Sequence, residues 1–522
     1  MTTLRELVLE DGNNLTVRDA LHQSILAGIQ SSASRFRVWV SATLNNQGTV
    51  GFKPKLIAGL LIFAVSLWIR SLHAVDMAPL IHGPNQPGAG MTAEYDGRAE
   101  TIADGHGVMV PDNLKPSDTD FLAYPPGYSI FLASIYHQVG RDYFAVQLFQ
   151  NVLNSLSSVL IFLIAAQLVS WSASIASGLL SAVSHHLAYY SNFILPDGLC
   201  ALPLLVSVYL LVKAERSASR SLWLCAAAGL TLGLSVWLRP NSLLLGPFLI
   251  IVMALISLRR GRSVKNAAVM ALVSLVVVAP ITIRNYVVYR EFIPVTIHLG
   301  VVLWEGIGES SGDRFGAVST DDEVAQQDAI LYGDERYAGS WASPDGIRRD
   351  RDHVGKSIAI IIRHPFWYGG VMLKRMGELV KYSAQAPLVD RGDDTKLSEN
   401  GNTTREVTTV GDLSLAVGKT LHWTRAFARA LQRVAKETAL VFIIAGAIIM
   451  FSVSWRKALL VAAVPTYYLL AQSAMHVEFR YALPMHYFLF LFAGITWVVI
   501  SAAAFDWMRK LGRLFVARAP GN

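Results

Sequence analysis

Residues 222–258 read LWLCAAAGLTLGLSVWLRPNSLLLGPFLIIVMALISL. The stretch contains two apolar runs, 222–238 and 242–258, and neither run includes a charged residue. Each run is near the lower limit of the ~17–25 residues that cross a ~30 Å hydrocarbon core as a helix. Only the short polar turn Arg239-Pro240-Asn241 separates them. The pattern therefore predicts two antiparallel helices that span a membrane.

The same pattern recurs along the chain of 522 residues, of which 53% are hydrophobic and only 16% are charged. A soluble protein usually carries about 25% charged residues. We predict an all-α polytopic membrane protein with about ten spans, at 56–73, 143–169, 172–191, 198–213, 222–238, 242–258, 266–284, 437–453, 458–474 and 481–504. No cleavable signal peptide is expected, because the first fifty residues are polar and mixed. Cys200 and Cys225 fall inside apolar runs, and we expect both to pack as small hydrophobic side chains.

Basic residues indicate the orientation of these spans. Short loops that retain lysine and arginine stay in the cytosol. The clusters that then share one side are Lys213 with Arg216 and Arg220, residues 259–265, Arg456 with Lys457, and the tail residues Arg509, Lys510, Arg513 and Arg518. We therefore expect both termini in the cytosol and the working surface on the opposite side of the membrane. The basic tail and the sparse cysteines favour a bacterial inner membrane with a periplasmic working surface, and an endoplasmic reticulum location with the same topology is the alternative. The net charge of +7 follows from this topology and predicts no nucleic-acid partner.

This topology divides the chain into five regions. They are a cytosolic extension at 1–54, a membrane domain at 55–284 with an external loop at 74–142, an external region at 285–436, three last spans at 437–504 and a basic tail at 505–522. The short apolar stretch 129–136 is too short to span and predicts an interfacial or re-entrant helix. The stretches 357–368 and 413–436 predict helices that lie along the membrane surface. The stretch 388–412 lacks apolar periodicity and predicts a flexible loop.

Three arginines stand at the predicted external ends of spans. Arg239 lies in the turn quoted above, Arg284 ends the seventh span, and Arg480 begins the last span beside His476. Each cation alone could extend harmlessly to the interface, but three at one depth favour a ligand. Because a guanidinium binds phosphate in a bidentate manner and keeps its charge, we predict that some of them hold an anionic lipid headgroup.

Acidic residues occur at the same predicted level. Glu94, Asp96 and Glu100 lie close together in the first external loop, and Asp197 follows Pro196 at the start of the fourth span. A carboxylate beside a phosphate site can act as a general base, since it can take a proton from an attacking hydroxyl. A single external carboxylate is more often simply solvated, so the clustering carries this hypothesis.

Several motifs follow one another between about 75 and 490. They are Tyr95-x3-Ala99-x2-Ile102-x2-Gly105-x-Gly107, Tyr124-Pro125-Pro126-Gly127-Tyr128, Gly229-Leu230-Thr231-Leu232-Gly233-Leu234 with Leu238-Arg239-Pro240, Ala279-Pro280-Ile281-Thr282-Ile283-Arg284-Asn285-Tyr286 with Phe292-Ile293-Pro294-Val295, and Phe479-Arg480-Tyr481-x2-Pro484. In content and order these motifs resemble the integral-membrane glycosyltransferases of the GT-C fold, and among them the dolichyl-phosphate-mannose protein mannosyltransferases and the lipid A aminoarabinose transferase.

The resemblance implies transfer of a sugar from a polyprenyl-phosphate donor to an acceptor hydroxyl on the external side, with inversion. It also implies an acidic base in the first external loop. The family's aspartate corresponds to Met91, so we predict Glu94, three residues from it, as the base and Asp96 as the second candidate. The predicted ligands of the donor phosphate are Arg284, Arg480, Arg239 and His476. The other predicted substrate contacts are Tyr95, Asp197, Tyr124, Glu305, Glu478 and Tyr481.

The predicted partners are the polyprenyl-phosphate sugar, a lipid, glycan or protein acceptor, and membrane lipids. The sequence contains no recognisable set of metal ligands, so no metal site or cofactor is predicted, and a divalent metal requirement is left open. Two other hypotheses stand beside the transferase. One is a transporter or flippase for lipid-linked sugars, and the other is a catalytically inactive partner subunit, which the missing aspartate at Met91 keeps open.

Overall fold

The computed structural model describes residues 34–35, 37–44, 50–81, 88–112, 114–217, 219–256, 261–380 and 422–517. Over these ranges the chain is helical and contains no β-strand. The helices are α1 (Phe52–Ile81), α2 (Ala89–Ala103), α3 (Gly127–Val139), α4 (Tyr143–Leu168), α5 (Trp171–Val183), α6 (His185–Tyr190), α7 (Pro196–Leu199), α8 (Ala201–Arg216), α9 (Ser221–Leu238), α10 (Leu245–Ile256), α11 (Gly261–Tyr289), α12 (Leu299–Ser311), α13 (Asp321–Tyr332), α14 (Gly346–Arg363), α15 (Pro365–Val380), α16 (His422–Ser473) and α17 (Leu483–Ala517).

Seven helices in the described part of the chain are long and apolar enough to cross a membrane. They include α1, α4, α9, α11, α16 and α17, together with the continuous segment Pro196–Arg216. Two shorter apolar helices, Trp171–Val183 and Pro240–Ile256, lie between them. Helix α16 contains a non-helical residue, Ser454, between the two spans predicted at 437–453 and 458–474. The all-helical polytopic fold is thus confirmed, whereas the count of ten spans stays a prediction.

Glycine allows α9 to approach α11 closely. A Cβ atom added to Gly229 would stand 2.4 Å from the carbonyl oxygen of Met270, and one added to Gly233 would stand 2.5 Å from the Cβ of Val277. Small residues four positions apart lie on one face of a helix and let two backbones pack in contact within a membrane. This contact explains the two glycines of the GLTLGL motif.

A polar stripe on α4 supports a buried, non-helical stretch of backbone. The amide of Gln147 donates to the carbonyl of Asn192 at 2.8 Å, and that of Gln150 donates to the carbonyl of Phe193 at 2.8 Å. Asn151 donates to the side chain of Asn192 at 2.9 Å. Irregular backbone is tolerated at membrane depth only where protein groups satisfy it. The stripe therefore holds the segment 191–195, which leads directly to Asp197.

The segments predicted to be external form two groups of helices. The predicted short helix at 129–136 is present as α3, which packs against α2 and buries Tyr128, Leu132 and Tyr136. Helices α12–α15 form a second group, attached to the end of α16 where Arg375 donates to the carbonyl of Ser473 at 3.3 Å. The apolar stretches predicted within 357–368 lie on α14 and α15.

Three features predicted from the sequence fall partly or wholly outside the described residues. The flexible loop predicted at 388–412 lies outside them, as does most of the extension 1–54. The surface helix predicted at 413–436 is described only from His422, and there it is continuous with the membrane-spanning part of α16. Cys200 and Cys225 are buried and form no disulfide bond, so their predicted packing is confirmed.

Candidate functional site

One cavity, of about 330 Å³, opens between the α9–α10 turn, the start of α12 and the end of α16. Its apolar wall includes Leu243, Leu244 and Leu299, and its polar end is formed by Arg239, Tyr124, His298, His476 and Tyr481. Four of the residues predicted from the sequence therefore meet here: Arg239, Tyr124, His476 and Tyr481. A cavity that is apolar along one side and cationic at one end suits a ligand with a charged head and a hydrocarbon tail.

Arg239 is held by a buried ion pair. One of its amino groups lies 2.8 Å from each carboxylate oxygen of Asp197, and both side chains are almost completely buried. The guanidinium also lies over the ring of Tyr481, with 4.8 Å between its carbon and the ring centroid. Because removal of one partner would leave an uncompensated buried charge, the pair fixes the guanidinium at the cavity.

Arg480 approaches the same aromatic ring. Its guanidinium carbon lies 5.2 Å from the centroid of Tyr481, and its Nε pairs with Glu478. Gly88, which precedes α2, lies close by, since a Cβ atom added there would stand 3.3 Å from an Arg480 amino group. Tyr481 thus brings together two arginines that are separated by 241 positions in the sequence. Arg480 also lies at the N-terminus of a helix, where partial positive charge accumulates.

A cluster of acids surrounds His476. Its Nδ1 lies 2.8 Å from Glu309 and its Nε2 lies 3.8 Å from Glu478. Burial by itself would lower the pKa of His476, but these carboxylates outweigh it and raise that pKa to about 10. Burial opposes ionisation of Glu478, yet His476 and Arg480 lower its pKa to about 2. His476 is therefore a stable cation at the cavity wall.

Glu305 lies beside this cluster on α12 and is buried. Burial raises its pKa to about 8, although the charge of His476 acts in the opposite direction. At neutral pH the carboxyl is therefore mostly protonated, and it can donate a hydrogen bond as well as accept one. Glu305 contributes a neutral polar group beside two charged ones.

The two candidate bases on α2 occupy very different environments. Asp96 has a side chain only 3% exposed, accepts hydrogen bonds from Tyr136 at 2.5 Å and Tyr143 at 2.9 Å, and pairs with Arg141. Glu94 is half exposed, and its single ion pair is with Arg98 at 4.0 Å. The neighbouring Tyr95 is completely buried, with its ring 5.2 Å from that of Tyr124. Tyr95 thus connects α2 to the cavity wall.

Arg284 does not line the cavity that contains Arg239. Its guanidinium lies over the ring of Phe121 at 4.7 Å, and Arg98 lies over the same ring at 4.9 Å. The position of Arg284 along its helix could be predicted from the sequence, but the side of the helix that carries it could not.

Sequence reasoning missed His298, which lines the cavity, stacks on Trp341 at 4.5 Å and meets the edge of Tyr124 at 6.0 Å. A single histidine that precedes an apolar run carries no motif that could have identified it.

Within the described ranges, no group of three or more histidine, cysteine, aspartate or glutamate side chains is arranged to hold a metal ion. The cations that face the cavity are instead arginine and protonated histidine. The question of a divalent metal requirement is unchanged by this arrangement.

Comparison with known proteins agrees with the resemblance seen in the motifs. Residues 123–283 match the model of the family described as dolichyl-phosphate-mannose-protein mannosyltransferase. This segment includes Tyr124, Asp197 and Arg239, so the predicted resemblance is confirmed there and agrees with a fold of the GT-C type. No curated protein matches the chain significantly.

Solved structures with a similar arrangement of helices share little sequence. An oligosaccharyltransferase from Archaeoglobus fulgidus is 12% identical with a TM-score of 0.47, and the match covers 90% of this chain and 52% of that one. ArnT from Cupriavidus metallidurans, in a structure with bound undecaprenyl phosphate, is 15% identical with a TM-score of 0.37, and the match covers 85% and 78%. The chain thus spans about half the length of the archaeal oligosaccharyltransferase.

Proposed function

We propose that the chain is an integral-membrane glycosyltransferase that moves a sugar from a polyprenyl-phosphate donor to an acceptor hydroxyl. The observation that carries this proposal is the cavity with an apolar wall that Arg239, His476 and Tyr481 line, with Arg480 lying over the same Tyr481 ring as Arg239. The match to a family named for dolichyl-phosphate-mannose supports a donor of this chemical class. The reaction takes place on the periplasmic side of a bacterial inner membrane, with both termini in the cytosol.

The donor phosphate binds to Arg480 and Arg239, and His476 adds a third positive charge. Each of these three cations already has a carboxylate neighbour, so the charges of the protein groups at the site nearly cancel. A phosphate therefore competes with Glu478 for Arg480, while Asp197 keeps Arg239 in position. Cations that are fixed before the reaction stabilise the charge that develops on the departing polyprenyl phosphate.

The transfer is a single displacement. The acceptor oxygen attacks the anomeric carbon from the face opposite the phosphate, a new carbon–oxygen bond forms, and the bond to the phosphate oxygen breaks with its electron pair. Inversion follows from that geometry. Glu94 accepts the hydroxyl proton, because it is the half-exposed acid of α2 with one distant partner. Asp96 is the second candidate, but its carboxylate is engaged by three partners.

Some of the remaining predicted residues contact the sugar or the acceptor, and others hold those residues in place. Tyr124 offers an aromatic face at the cavity, the completely buried ring of Tyr95 packs against it, and Glu305 offers a protonated carboxyl that can bind a sugar hydroxyl. Tyr481 orients the two arginines, and Asp197 fixes one of them. The region 285–436 would cover the site and select the acceptor, which is a lipid, a glycan or a protein.

The test measures release of free polyprenyl phosphate by the purified protein from a panel of polyprenyl-phosphate sugars, with membrane lipid and glycan extracts as acceptors. One donor should support release, and Glu94→Gln should slow it by at least ~10²-fold while donor binding persists. Arg480→Gln should weaken binding of that donor. Glu335→Gln, which removes an exposed external carboxylate on the segment Glu335–Gly339, serves as the matched control and should leave release unchanged.

Two results would contradict the proposal. Donor binding without release in every extract would favour the flippase or the inactive partner subunit. Full activity in both Glu94→Gln and Asp96→Asn would show that neither of these two acids is the base.

A further inference from the structure

A second pair of buried cations lies outside the cavity described above. Arg98 of α2 and Arg284 of α11 both lie over the ring of Phe121, with 4.9 Å and 4.7 Å between guanidinium carbon and ring centroid. The side chain of Arg98 is 14% exposed, and Arg284 as a whole is 5% exposed. Two like charges are thus buried against one aromatic ring, an arrangement that would be unfavourable without an anion.

The protein supplies this pair almost entirely with neutral acceptors. Arg98 donates to the carbonyl oxygens of Tyr124 at 3.0 Å and Asp120 at 2.8 Å. Arg284 donates from Nε and Nη2 to the side-chain oxygen of Asn285, at 3.0 Å and 2.7 Å. The carboxylate that pairs with Arg98 is that of Glu94, at 4.0 Å.

One donor group of this pair has no acceptor. Nη1 of Arg284 is buried without a hydrogen-bond partner, and over the described ranges no carboxylate lies within ion-pairing distance of Arg284. An unpaired buried donor on a charged group is costly, and an oxyanion is the acceptor that matches a guanidinium best. Nη1 of Arg284 is therefore a donor that one anionic oxygen could pair with.

The surroundings indicate the kind of molecule that carries this anion. Arg284 stands five residues before the end of α11, or roughly 7.5 Å along the axis at ~1.5 Å per residue, near the external end of an apolar span. Its neighbours Ile283 and Val287 are exposed, as is Val108 of the loop before Pro111. Arg98, Phe121 and Val108 line a small cavity of about 30 Å³. Cations beside exposed apolar side chains at this depth are typical of a site for a lipid headgroup.

We propose that Arg284 and Arg98 bind the phosphate of an anionic lipid from the outer leaflet, at a site separate from the one that holds the transferase donor. The two sites share the segment that contains Phe121 and Tyr124, because Arg98 donates to the carbonyl of Tyr124 while the Tyr124 side chain lines the cavity. An anion at Arg284 would therefore steady the segment that forms the cavity wall. The site does not require that the chain be a transferase.

The test uses the full chain in neutral detergent and measures the thermal unfolding transition during separate titrations with phosphatidylglycerol, phosphatidylcholine and inorganic phosphate. Phosphatidylglycerol should stabilise the wild type, and Arg284→Gln should raise its apparent dissociation constant by about 10-fold, as expected when one charge-assisted contact is lost. Arg284→Lys keeps the charge without the planar fork and should show an intermediate loss. The matched control Arg336→Gln removes an exposed external arginine and should bind as the wild type does.

The other outcomes are equally distinct. Stabilisation by inorganic phosphate alone that depends on Arg284 would support the anion site and make a free phosphate its ligand. Equal responses of the wild type, Arg284→Gln and Arg284→Lys to all three titrants would overturn the proposal. Loss of polyprenyl-phosphate binding in Arg284→Gln as severe as that in Arg480→Gln would overturn the separation of the two sites, since Arg284 would then belong to the donor.

Discussion

At the scale of single residues, neighbouring acids differ through the partners that surround them. Glu94 and Asp96 stand two positions apart on α2, so they point away from each other at ~100° per residue. Asp96 turns inward towards Tyr136, Tyr143 and Arg141, whereas Glu94 stays half exposed. A carboxylate whose lone pairs are occupied ties helices together, and one that is accessible can exchange a proton.

The substitution Asp96→Asn tests this division of roles. We expect it to lower the free energy of unfolding by about 1–3 kcal/mol, because it removes the charge that Arg141 and two tyrosines share. Donor binding to the folded protein should change little. The measurement is thermal unfolding in detergent, with Glu94→Gln as the matched variant, for which little loss of stability is expected. A larger loss of stability in Glu94→Gln than in Asp96→Asn would reverse the assignment.

The cluster around His476 predicts how stability varies with pH. The pKa of Glu305 is raised to about 8 in the folded protein, from an ordinary value of 4.5, so its contribution to stability is full at low pH and is lost as pH rises through that window. His476, with its pKa raised from 6.5 to about 10, adds a loss at higher pH. We expect these two groups together to lower the unfolding temperature as the pH rises from 5 to 10, whereas burial lowers the pKa of His298 to about 3 and gives a contribution of opposite sign near pH 6.5.

Glu305→Gln separates the two contributions to this pH dependence. The variant lacks the titration of Glu305, so the unfolding temperature of the wild type should fall relative to that of the variant between about pH 5 and pH 8. The loss due to His476 above about pH 6.5, the ordinary pKa of histidine, should occur in both proteins. The measurement is a series of thermal unfolding curves for wild type and variant at each pH. Parallel curves for the two proteins between pH 5 and pH 8 would show that Glu305 does not titrate in this way.

The sequence could place these residues along the membrane normal but not around each helix. Arg239, Arg284 and Arg480 were all predicted at the external ends of spans, and each lies at a helix end or its adjoining turn. Only Arg239 and Arg480 share Tyr481, since the rotation of a helix depends on its packing against neighbours far away in the chain. The same limit hid the partners of Asp96, which lie 40–47 positions further along.

At the scale of helices, apolar length was the reliable signal and local irregularity was not. The runs quoted from 222–258 became α9 and α10 with the predicted turn between them. The run predicted as one span at 172–191 is instead divided into α5 and α6 at Ser184. At the break, the Ser184 hydroxyl accepts a hydrogen bond from the backbone N–H of Leu187 at 3.3 Å, and side chains of α4 bind the carbonyls of the stretch that follows α6. A hydropathy pattern contains no information about such contacts.

Close packing between α9 and α11 predicts the effect of adding a methyl group. We expect Gly229→Ala to destabilise the protein by about 1–3 kcal/mol, because its Cβ would stand 2.4 Å from a backbone oxygen that cannot move independently. Gly97→Ala is the matched control, since a Cβ there has no neighbour within 4 Å and the residue lies inside α2. That control should leave stability unchanged or raise it by up to about 1 kcal/mol, as glycine is a poor helix former.

Thermal unfolding of both glycine variants in the same detergent provides the measurement. Equal stability of Gly229→Ala and wild type would mean that α9 and α11 do not approach as closely as the structure describes. Equal losses in both variants would indicate a general sensitivity to glycine substitution and would remove the support for specific packing.

At the scale of the whole molecule, the orientation in the membrane decides which compartment the cavity faces. The cavity opens at the ends of α9 and α16 that lie opposite the basic turn at Arg456 and Lys457. The positive-inside rule predicts that this turn lies in the cytosol, and it therefore predicts that the cavity opens on the opposite side of the membrane. The sequence was sufficient for this argument because it depends on charge and on span length, and neither depends on tertiary packing.

The orientation predicts which engineered thiols react from outside the cell. Ser117→Cys lies on the exposed external loop before α3, and Arg456→Cys lies in the exposed turn within α16. Since Cys200 and Cys225 are buried, they should give a low background. We expect a membrane-impermeant maleimide to label Ser117→Cys in intact spheroplasts and Arg456→Cys only after the membrane is opened. The reverse pattern would place the cavity in the cytosol, where a donor presented in the periplasmic leaflet could not reach Arg239 and Arg480.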